Sequence, residues 1–483
     1  MSTRETNYIA TIGLEIHMQL KTQRKMFSPE AVTYGEPPNS YTSPITLAHP
    51  GTLPQPNKKA INYALMMGLA CESQVVRENY FARKNYYYPD LPKGFQITQD
   101  ATPICRGGYI VIPTKNGEKK IALERIHIEE DTGKSIHAPS AGVTLINYDR
   151  AGTPVIEVVT KPVLQTPEEA YTLLMALRRL VRYLDISDGN MEEGSLRCDV
   201  NVSVRPEESS ELNTKVEIKN LNSMRHVRLA ASHEIKRQSA IYQRGGVVMS
   251  ETRAYDPIKN MTTWQRTKEG LTDYCYFPEP DISPIVISEE KLIAINEAMP
   301  ILPHQLYHKL IDDYKLPPAD AVVLTEDKSI GLFFEAIAQQ CVHHKIIANL
   351  IIGPVKAYLN QEKLTMRELG VTSDQIVALA NMIADEVISF SLATLQLFPL
   401  LIGNPDGDPA TIAQAQGWVQ TKNQGRLLDW IEEVMAAYPD KVAAYQSGKK
   451  GLLGFFMGEI MRISHQKANP QETAKLLKKK LES

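Results

Sequence analysis

Apolar and polar side chains alternate one by one along much of the first 290 residues, a pattern typical of strands with one buried face. The first such segment sets Glu15, His17 and Gln19 between apolar neighbours. Residues 215 to 219 repeat the pattern with Lys, Glu and Lys on the polar side. The alternation therefore predicts a sheet that carries its chemically active side chains on one face.

Helical segments interrupt this sheet-rich part at 58–70 and 166–184. The second segment begins T-P-E-E, in which Thr166 is an N-cap and Pro167 occupies the first helical position. The two acids that follow favour the positive end of the helix dipole. Mixed helices and strands predict an α+β fold for this part.

The pattern changes at about Pro300, beyond which apolar residues recur at spacings of three and four. The Ala-rich segments 330–341 and 373–384 predict helices. Turn formers at 403–409, G-N-P-D-G-D-P, then separate these from short terminal helices. We predict an α+β chain of three domains: a large sheet-rich domain at 1–295, an all-α helical domain at 296–405, and a small helical tail domain at 406–483.

Composition predicts an ordinary soluble protein, with 483 residues of which 43% are hydrophobic. The five cysteines are scattered without a C-x-x-C pair, so neither a disulfide framework nor a cysteine zinc site is indicated. The N-terminus lacks the apolar core of a signal peptide, and Ser, Thr, Gln and Pro interrupt the apolar stretch 387–403. We expect a cytoplasmic protein without membrane association.

Charge is concentrated at the end of the chain, because residues 441–483 carry nine Lys or Arg against three Glu while the whole chain has a net charge of −3. A basic end is a candidate contact for a polyanion. For the lysines at 478–480 alone, a solvated helix face is favoured, with its lysines near the negative end of the helix dipole.

The predicted helix at 452–464 has Gly454 and Gly458 four residues apart, which would let another backbone or a phosphate approach closely. Arg462 and Lys467 lie beside this pair of glycines. An RNA contact is one interpretation, and close helix packing inside a small bundle is the other. Both can hold for opposite faces of the helix.

Carboxylates recur beside Arg, Asn or Gly on four strand-like segments between residues 129 and 205: E-E-D-T-G-K, G-T-P-V-I-E, M-E-E-G-S-L-R-C-D and D-V-N-V-S-V-R. Together with I-G-L-E-I-H at 12–17, they offer Glu, Asp and one imidazole in five places. Such ligands suit a hard cation that carries phosphates, so we predict metal-assisted phosphoryl chemistry. The chain has no P-loop string G-x-x-x-x-G-K-[ST], so any ATP binds by another arrangement.

Residues 81–99, F-A-R-K-N-Y-Y-Y-P-D-L-P-K-G-F-Q-I-T-Q, mix basic side chains with three consecutive tyrosines. Three tyrosines in a row cannot all face one core, so at least one presents its ring or hydroxyl to solvent or a ligand. Arg83 and Lys84 could clamp a phosphate, and Arg197 is a further phosphate partner on chemistry alone. An ordinary loop at a strand edge is the alternative.

Seven motifs in order resemble one family: I-G-L-E-I-H, the 81–99 segment, H-I-E-E-D-T-G-K-S, R-A-G-T-P-V-I-E-V-V, M-E-E-G-S-L-R-C-D-V-N-V-S-V-R-P, E-I-K-N-L-N-S and Y-F-P-E-P-D. The chain resembles the B-subunit family of glutamine-dependent aspartyl/glutamyl-tRNA amidotransferases, the GatB/GatE family. The resemblance runs almost end to end and closes with residues 458–471, which are similar to the family's tRNA-binding tail domain.

The resemblance implies a carbon–nitrogen ligase that works as a heterotrimer. Its A-subunit is an amidase that frees ammonia from glutamine, and its small C-subunit holds the other two together. The sheet-rich domain is then the catalytic cradle of the B-subunit, which uses ATP and Mg²⁺ to phosphorylate the side-chain carboxylate of misacylated Asp-tRNA(Asn) or Glu-tRNA(Gln). Amidation of that acyl phosphate gives Asn-tRNA or Gln-tRNA, since a carboxylate itself cannot expel oxide to ammonia.

The resemblance also implies roles for particular residues. Those that fall on the family's metal-binding positions are Glu15, His17, Glu130, Glu157 and Asp199. Those with implied catalytic roles are Glu15, His17, Lys84 and Tyr86, while Lys93 matches a lysine of the ammonia tunnel. The tail residues that we expect to bind tRNA are Lys449, Lys450, Arg462 and Lys467. Weak candidates with no derived role are Lys219, Asn220 and Asn222.

Periodicity and the resemblance disagree about one metal ligand. Strict alternation places Glu129 with Arg125 and His127 and turns Glu130 away, unless the strand bulges or ends there. We follow the resemblance to Glu130 and keep Glu129 as the alternative. His17 alone would more often be a structural histidine than a ligand, but it shares a face with Glu15.

The chain departs from the family at three places. Some members carry paired cysteines after the first strand, whereas residues 28–43 have none, so no structural zinc is expected. Cys275 stands where an arginine is common, which puts in doubt any substrate contact of that arginine, and the strings Q-R-T-K-E at 265–269 and T-D-Y-C at 272–275 differ slightly from the usual ones. The segment 387–402 is more apolar than the usual lysine-bearing helix, so tRNA contacts there could be weaker.

Two rival classes use the same residues. The first is an RNA-binding scaffold without catalysis, in which the acidic strands are only solvated faces of the sheet. Five converging carboxylate or imidazole positions argue against it. A magnesium-dependent phosphohydrolase would share the metal ligands but hydrolyse ATP without a charged tRNA or an ammonia source. Dependence on substrate separates the three.

Overall fold

The computed structural model describes residues 7–138, 142–267, 274–420, 424–464 and 467–482. The chain divides into two compact units, Met1–His304 and Gln305–Ser483. The division after His304 lies close to the predicted end of the sheet-rich domain at 295. The predicted boundary between 405 and 406 falls inside the second unit and stays a prediction.

The first unit is built on a mixed sheet, as the α+β prediction requires. The described strands are β1 (Tyr8–Gln19), β2 (Gln74–Val75), β3 (Glu78–Asn79), β4 (Ala82–Asn85), β5 (Phe95–Thr98), β6 (Cys105–Arg106), β7 (Tyr109–Thr114), β8 (Gly117–Glu130), β9 (Lys134–Ala138), β10 (Val143–Asn147), β11 (Pro154–Thr160), β12 (Leu196–Pro206), β13 (Val216–Lys219), β14 (Glu251–Asp256), β15 (Met261–Thr267), β16 (Cys275–Pro278) and β17 (Ile285–Val286).

Ten of these described strands form the main sheet, in the order β15-β14-β13-β12-β1-β11-β8-β6-β2 with β7 also paired to β8. β13 and β14 pair in parallel, and the other neighbours are antiparallel. A smaller sheet, β16-β4-β5, and the two-stranded sheets β10-β9 and β17-β3 lie off this path. The central strands β1, β11 and β12 come from distant parts of the chain, so their pairing holds distant motifs in one register.

The two faces of β1 have different surroundings because its side chains alternate. Ile12, Leu14 and Ile16 are buried in the core of the unit. That core is completed by the helices α2 (Pro167–Tyr183) and α3 (Met224–Gln243), which pack on β7, β12 and each other. The polar residues of β1 therefore point to the opposite face of the sheet.

The helices of the first unit begin where the sequence places capping residues. α1 spans Lys58–Ala70, as predicted, and the Asn57 side chain accepts hydrogen bonds from the first turn. In α2 the Thr166 side chain accepts from the backbone N–H of Glu169, and Pro167 is the first helical residue, which confirms the T-P-E-E prediction. α4 (Glu289–Glu297) is capped by Ser288.

The second unit consists of helices in its described part. They are α5 (Pro303–Asp312), which begins at the division, α6 (Pro318–Leu324), α7 (Lys328–Ala338), α8 (His344–Leu350), α9 (Lys356–Glu362), α10 (Ser373–Ala384), α11 (Phe390–Leu392), α12 (Phe398–Leu401), α13 (Pro409–Ala415), α14 (Gln424–Ala437), α15 (Pro439–Gln446), α16 (Leu452–Ile463) and α17 (Pro470–Glu482). Short π-helical turns at Ile351–Val355 and Ala393–Leu397 and a 3₁₀ turn at Met366–Glu368 connect some of them.

The last four helices share a small apolar core of their own. Leu427, Ile431, Phe456, Ile460 and Leu477 are fully buried in it. This packing confirms the predicted short helices at the end of the chain, and α10 lies where the periodicity placed it. Within the part of the chain that the structure describes, no helix combines the length and apolar character needed to cross a bilayer.

Candidate active site

A polar pocket of about 810 Å³ opens on the face of the main sheet opposite α2 and α3. Its floor comes from β1, β8, β11, β12 and β13, and its wall includes side chains of β4, β15 and β16. The acidic and imidazole side chains that line it are Glu15, His17, Asp100, His127, Glu129, Glu157, Asp199 and Glu217. The predicted polar face of the sheet is therefore the floor of one pocket.

Strand register brings these residues together. Glu157 pairs with His17 on one side and with His127 on the other, so the three form one row across β1, β11 and β8. Glu15 pairs with Asp199 in the next row. Directly paired residues share a face of an antiparallel sheet, and neighbouring strands lie about 4.8 Å apart, so each row is a line of closely spaced side chains.

The first cluster consists of His17, Glu129 and Glu157, with His127 beside it. The Nε2 atom of His17 lies 3.4 Å from Glu157 Oε2 and 3.6 Å from Glu129 Oε1. The Nε2 atom of His127 lies 3.0 Å from the same Glu157 oxygen. Thr98 donates a hydrogen bond to Glu129 over 3.2 Å. Two imidazoles thus face two carboxylates in a compact, mostly buried group.

Electrostatics in this cluster oppose the effect of burial. Burial lowers the pKa of His17 and of His127, but the carboxylates of Glu157 and Glu129 outweigh it and raise both pKa values to about 9. Burial raises the pKa of Glu157, and the two imidazoles reverse this and hold it well below its ordinary value. The pKa of Glu129 is lowered for the same reason. With both imidazoles protonated, two positive charges balance two negative ones.

The second cluster consists of Glu15, Asp199 and Glu217. Lys219 pairs with Asp199 and lies 3.2 Å from Glu217. Asn201 donates to Glu15 over 2.9 Å, and Thr252 donates to Glu217 over 2.9 Å. These contacts hold three carboxylates on one face of β1, β12 and β13, where one ammonium partly balances them.

The structure brings Glu129 into the first cluster and places Glu130, the predicted metal ligand, away from it. β8 pairs regularly with β11 at both residues, so alternation continues to the end of the strand and Glu130 points to the other side. There its carboxylate pairs with Lys93 and accepts from the backbone N–H of Ile97 over 3.0 Å. The geometry therefore favours Glu129, the residue that alternation indicates, as the carboxylate of β8 that can reach a metal.

Lys84 is brought to the pocket, and Tyr86 lies close behind its wall. Lys84 pairs across strands with Tyr276, and its Nζ lies 4.6 Å from the centre of the Tyr274 ring. Burial lowers the pKa of Lys84, but nearby Tyr276 and Glu129 raise it overall. The Tyr86 ring packs against Tyr274, and burial raises the pKa of its hydroxyl.

The two arginines predicted to hold phosphate are bound to acids outside the described pocket lining, although Arg197 is the cross-strand partner of His17. Arg83 turns away from the pocket because it alternates with Lys84, and it donates to Glu279 over 2.7 and 2.9 Å. Arg197 donates to the buried Asp131 over 2.8 Å. Burial raises the pKa of Asp131, but Arg197 and Arg150 lower it overall. Among the described residues that line the pocket, neither Arg83 nor Arg197 is found.

Sequence reasoning missed several lining residues as site members, although their signals were present. Alternation places Arg125 and His127 on one face with Glu129, and it sets Glu217 between Lys215 and Lys219. Further lining cations are Lys215 and Arg266. Of the weak candidates, Lys219 lines the pocket, whereas Asn220 and Asn222 follow β13 and lie outside the described lining.

Cys275, which stands where an arginine is common in the family, lies on the side of β16 that faces away from the pocket. Tyr274 and Tyr276 line the pocket, and Cys275 between them is paired with Asn85 on the alternate side of β16. Its backbone carbonyl accepts from the Asn85 side chain over 2.8 Å. A side chain at this position therefore does not point into the pocket. The neighbouring departures at 268, 269, 272 and 273 lie outside the described residues.

In the tail, the predicted tRNA-binding residues lie on or beside α16 and are partly or fully exposed. Arg462 donates to Glu459 three residues before it, over 2.8 Å. The Lys450 Nζ lies 4.3 Å from the centre of the Tyr445 ring. A Cβ atom at Gly454 or Gly458 would meet open space among the described residues, so these glycines are not used for close helix packing there.

The donor atoms of the two clusters suit divalent cations. In each cluster, one ligand atom from each of the three residues lies within 4.8 Å of the others. The second cluster offers only carboxylate oxygens, which Mg²⁺ prefers, while the first adds one imidazole nitrogen. The residues present therefore fit a divalent metal ion that binds phosphate groups. Its ligands would be His17, Glu129 and Glu157 in the first cluster, and Glu15, Asp199 and Glu217 in the second.

Comparison with known families gives matches over most of the chain. Residues 10–293 match a family model described as the GatB/GatE catalytic domain, and residues 332–481 match one described as a GatB domain. A protein of Nitrosococcus oceani, named as the B-subunit of aspartyl/glutamyl-tRNA(Asn/Gln) amidotransferase, is 43% identical, with 97% of this chain and 98% of the relative covered. A relative of the same name from Thermoanaerobacter pseudethanolicus is 42% identical, with 98% of this chain and 99% of the relative covered. One from Salinibacter ruber is 39% identical, with 99% of this chain and 97% of the relative covered.

Proposed function

The chain belongs to the GatB/GatE family, whose curated members are subunits of a glutamine-dependent carbon–nitrogen ligase, and we propose that it amidates misacylated Asp-tRNA(Asn) or Glu-tRNA(Gln). One observation carries the proposal: five strands present carboxylates and imidazoles to one pocket whose rim is basic and aromatic. A phosphoryl group and a carboxylate, both anionic, need that combination of metal ligands and cations.

The reaction takes two steps. In the first, an oxygen of the aminoacyl side-chain carboxylate attacks the γ-phosphorus of ATP, the bond to the β-phosphate oxygen breaks, and ADP leaves. In the second, ammonia attacks the acyl carbon, the carbon–oxygen bond to phosphate breaks, and the nitrogen loses a proton to give the amide. Phosphate is a far better leaving group than oxide, which is why ATP is required.

The pocket residues bind and orient the reactants. The two acidic clusters would hold Mg²⁺, which would neutralise phosphate charge. Asn201 and Thr252 keep Glu15 and Glu217 in position through their hydrogen bonds. Lys84 extends from β4 over the floor and adds positive charge near the developing negative charge, and the Tyr274 ring packs against its ammonium group.

Ammonia reaches the pocket from the other side of β8 in this proposal. Glu129 faces the pocket, and the adjacent Glu130 pairs with Lys93 on the opposite face. Lys93 and Glu130 form a mostly buried polar pair beside the rings of Phe27 and Phe95, which suits the passage of a small polar molecule. The amidase A-subunit supplies the ammonia, and the small C-subunit holds the complex together.

The test is ADP release by the chain with its amidase and small partner subunits, in the presence of ATP, Mg²⁺ and glutamine. It compares wild type, Glu15→Ala and His17→Ala, with and without misacylated tRNA. Glu124→Gln is the matched control, because Glu124 lies on the same strand as Glu129 but is exposed. We expect ADP release only with charged tRNA, its loss in both pocket variants, and normal release in the control.

Glutaminase activity of the complex should persist in both pocket variants, since that chemistry belongs to the amidase. ADP release that ignores charged tRNA would favour a phosphohydrolase. Binding of tRNA without any ADP release, unchanged by both substitutions, would favour an RNA-binding scaffold. Either result would overturn the proposal.

A further inference from the structure

Among the described residues, five lysine and arginine side chains line the pocket: Lys84, Arg125, Lys215, Lys219 and Arg266. These five cations differ in whether a carboxylate of the protein already balances their charge. Lys219 is held by Asp199 and Glu217. Outside the lining, Arg83 and Arg197 are each held by a carboxylate as well.

Arg125 lies beside the first acidic cluster, on the pocket face of the sheet. It lies on β8 two residues before His127, on the same face of the strand. Its partner across the strands is Val159, whose other neighbour is Glu15. The guanidinium is therefore one row from the His17–Glu157–His127 row and in the same row as Glu15.

The Arg125 side chain has no partner of its own in the part of the chain that the structure describes. It takes part in no ion pair or hydrogen bond there, and its Nε atom is buried without an acceptor. A buried N–H donor without an acceptor is costly, so the site is incomplete as it stands. A phosphate oxygen in the pocket would supply that acceptor.

Lys84 lies near the same place. Tyr276 is the cross-strand partner of Lys84, and Lys84, Arg125 and Tyr276 all line the pocket. No described carboxylate forms an ion pair with Lys84. Two cations that form no ion pair among the described residues therefore line the pocket near one tyrosine, at the edge of an acidic floor.

We propose that Arg125 binds a phosphate group of the nucleotide substrate, donating from its guanidinium to nonbridging oxygens while Lys84 adds the second positive charge. This inference rests on the proposed function, since it assigns the phosphate contact of the same pocket. A guanidinium is planar and can donate two parallel hydrogen bonds to a phosphate, which an ammonium cannot. Arg125 takes the role that chemistry alone had given to Arg83 and Arg197.

The experiment measures binding of ATP and of adenosine, at fixed Mg²⁺, to the assembled complex carrying wild type, Arg125→Gln or Arg125→Lys. Arg106→Gln is the control, because Arg106 pairs with Arg125 across β6 and β8 but is exposed, donates to the Ala101 carbonyl and lies outside the described pocket lining. We expect Arg125→Gln to weaken ATP binding roughly 10- to 100-fold, with adenosine binding unchanged. Arg125→Lys should recover part of the loss, and Arg106→Gln should bind as wild type.

Wild-type affinity of Arg125→Gln for ATP would overturn the inference. So would an equal loss for ATP and adenosine, since that means damage to the pocket and not a lost phosphate contact. Failure of the proposed function looks different: ADP release would not depend on charged tRNA, while Arg125→Gln would still weaken ATP and spare adenosine. That outcome keeps the phosphate site and removes the amidotransferase reaction.

Discussion

In the sheet pocket, charged side chains come from distant parts of the sequence and are largely buried, whereas in the tail they lie on short helices and are exposed. Glu15 accepts from Asn201, which is 186 residues away. Arg462, by contrast, pairs with Glu459 three residues earlier on the same helix and leaves 68% of its side chain exposed.

This comparison shows how strongly the charges of the pocket and those of the tail depend on the tertiary structure. A pair of exposed charges on one helix is solvated and screened, so it contributes little to stability and remains available to a partner. Charges held by strand register lose solvent and gain fixed neighbours, so their pKa values and geometry belong to the tertiary structure. The pocket should therefore respond strongly to single changes, and the tail weakly.

The largest effect is expected from Glu157→Gln. Glu157 faces both His17 and His127, so the change removes one proposed metal ligand and the partner of two imidazoles. Loss of one preorganised electrostatic contact typically costs about 100- to 1,000-fold in rate, and we expect a fall in tRNA-dependent ADP release of at least about 100-fold. Steady-state ADP release checks this, with Glu124→Gln as control. A fall of less than about 10-fold would contradict the metal arrangement.

The second effect concerns two helical Glu–Arg pairs of the same spacing. Glu234 on α3 is fully buried and lies 2.7 Å from Arg237, with hydrogen bonds from Gln238 and Thr262, whereas in the tail pair Glu459 is 21% and Arg462 68% exposed. We expect Glu234→Ala to lower the free energy of unfolding of the first unit by roughly 3–5 kcal/mol, because it breaks a buried charge network and leaves Arg237 with Glu251 as its remaining carboxylate partner.

The matched change Glu459→Ala should leave the denaturation midpoint unchanged within error. Urea denaturation followed by far-UV circular dichroism measures both variants. Similar losses in the two variants would contradict the distinction between the buried and the exposed pair.

The third effect is the pH dependence of stability without added metal. The pKa values of His17 and His127 are raised from 6.5 to about 9, so the stabilisation that their protons provide is fully present below pH 6.5 and is lost as the pH rises through about 9. The slope should approach about 1.4 kcal/mol per pH unit for each proton.

Denaturation from pH 6 to 9.5 measures this slope, and His127→Gln should flatten it. Because protonated imidazole cannot bind a metal, Mg²⁺ binding at pH 7 should also release protons, which calorimetry in buffers of different ionisation enthalpy detects. A slope that is the same in wild type and His127→Gln would contradict the charge balance of this cluster.

The smallest effect is expected in the tail. Arg462→Gln removes one exposed positive charge, so tRNA binding should weaken only several-fold and the slope of log affinity against log salt should decrease by about one. Binding of tRNA at several salt concentrations measures both quantities. Lys475→Gln is a suitable control, because Lys475 is exposed on α17 and pairs with Glu472 in the same local way. Equal changes in the two variants would mean a diffuse charge effect without a contact at Arg462.

Much of the fold could be predicted because its signals are local. The T-P-E-E string set the start of α2, and apolar spacing set α1 and α10. Caps and amphipathic stripes act within a few residues, so they can be read from a single chain. The α+β class followed from strand-like alternation interrupted by helical segments in the first 290 residues.

The candidate site could be predicted only in part, because strand neighbours are not local. Alternation placed Glu15 with His17 and Glu129 with His127, and the structure agrees with both pairs. Nothing in the sequence said that Glu157 would pair with both histidines, since that depends on the order β1-β11-β8. The proposed phosphate role of Arg125 is inferred from its surroundings in the pocket, which no motif could indicate.

The sequence by itself determined which faces of the strands are polar, where helices begin, and that one end of the chain is basic, since each depends on residues a few positions apart. Only the tertiary structure decided which acids share a pocket, that Glu130 pairs with Lys93 while Glu129 faces His17, and that Arg83 is bound to Glu279. These facts depend on strand order and register, through which side chains far apart in sequence come within a few ångströms and change one another's charge.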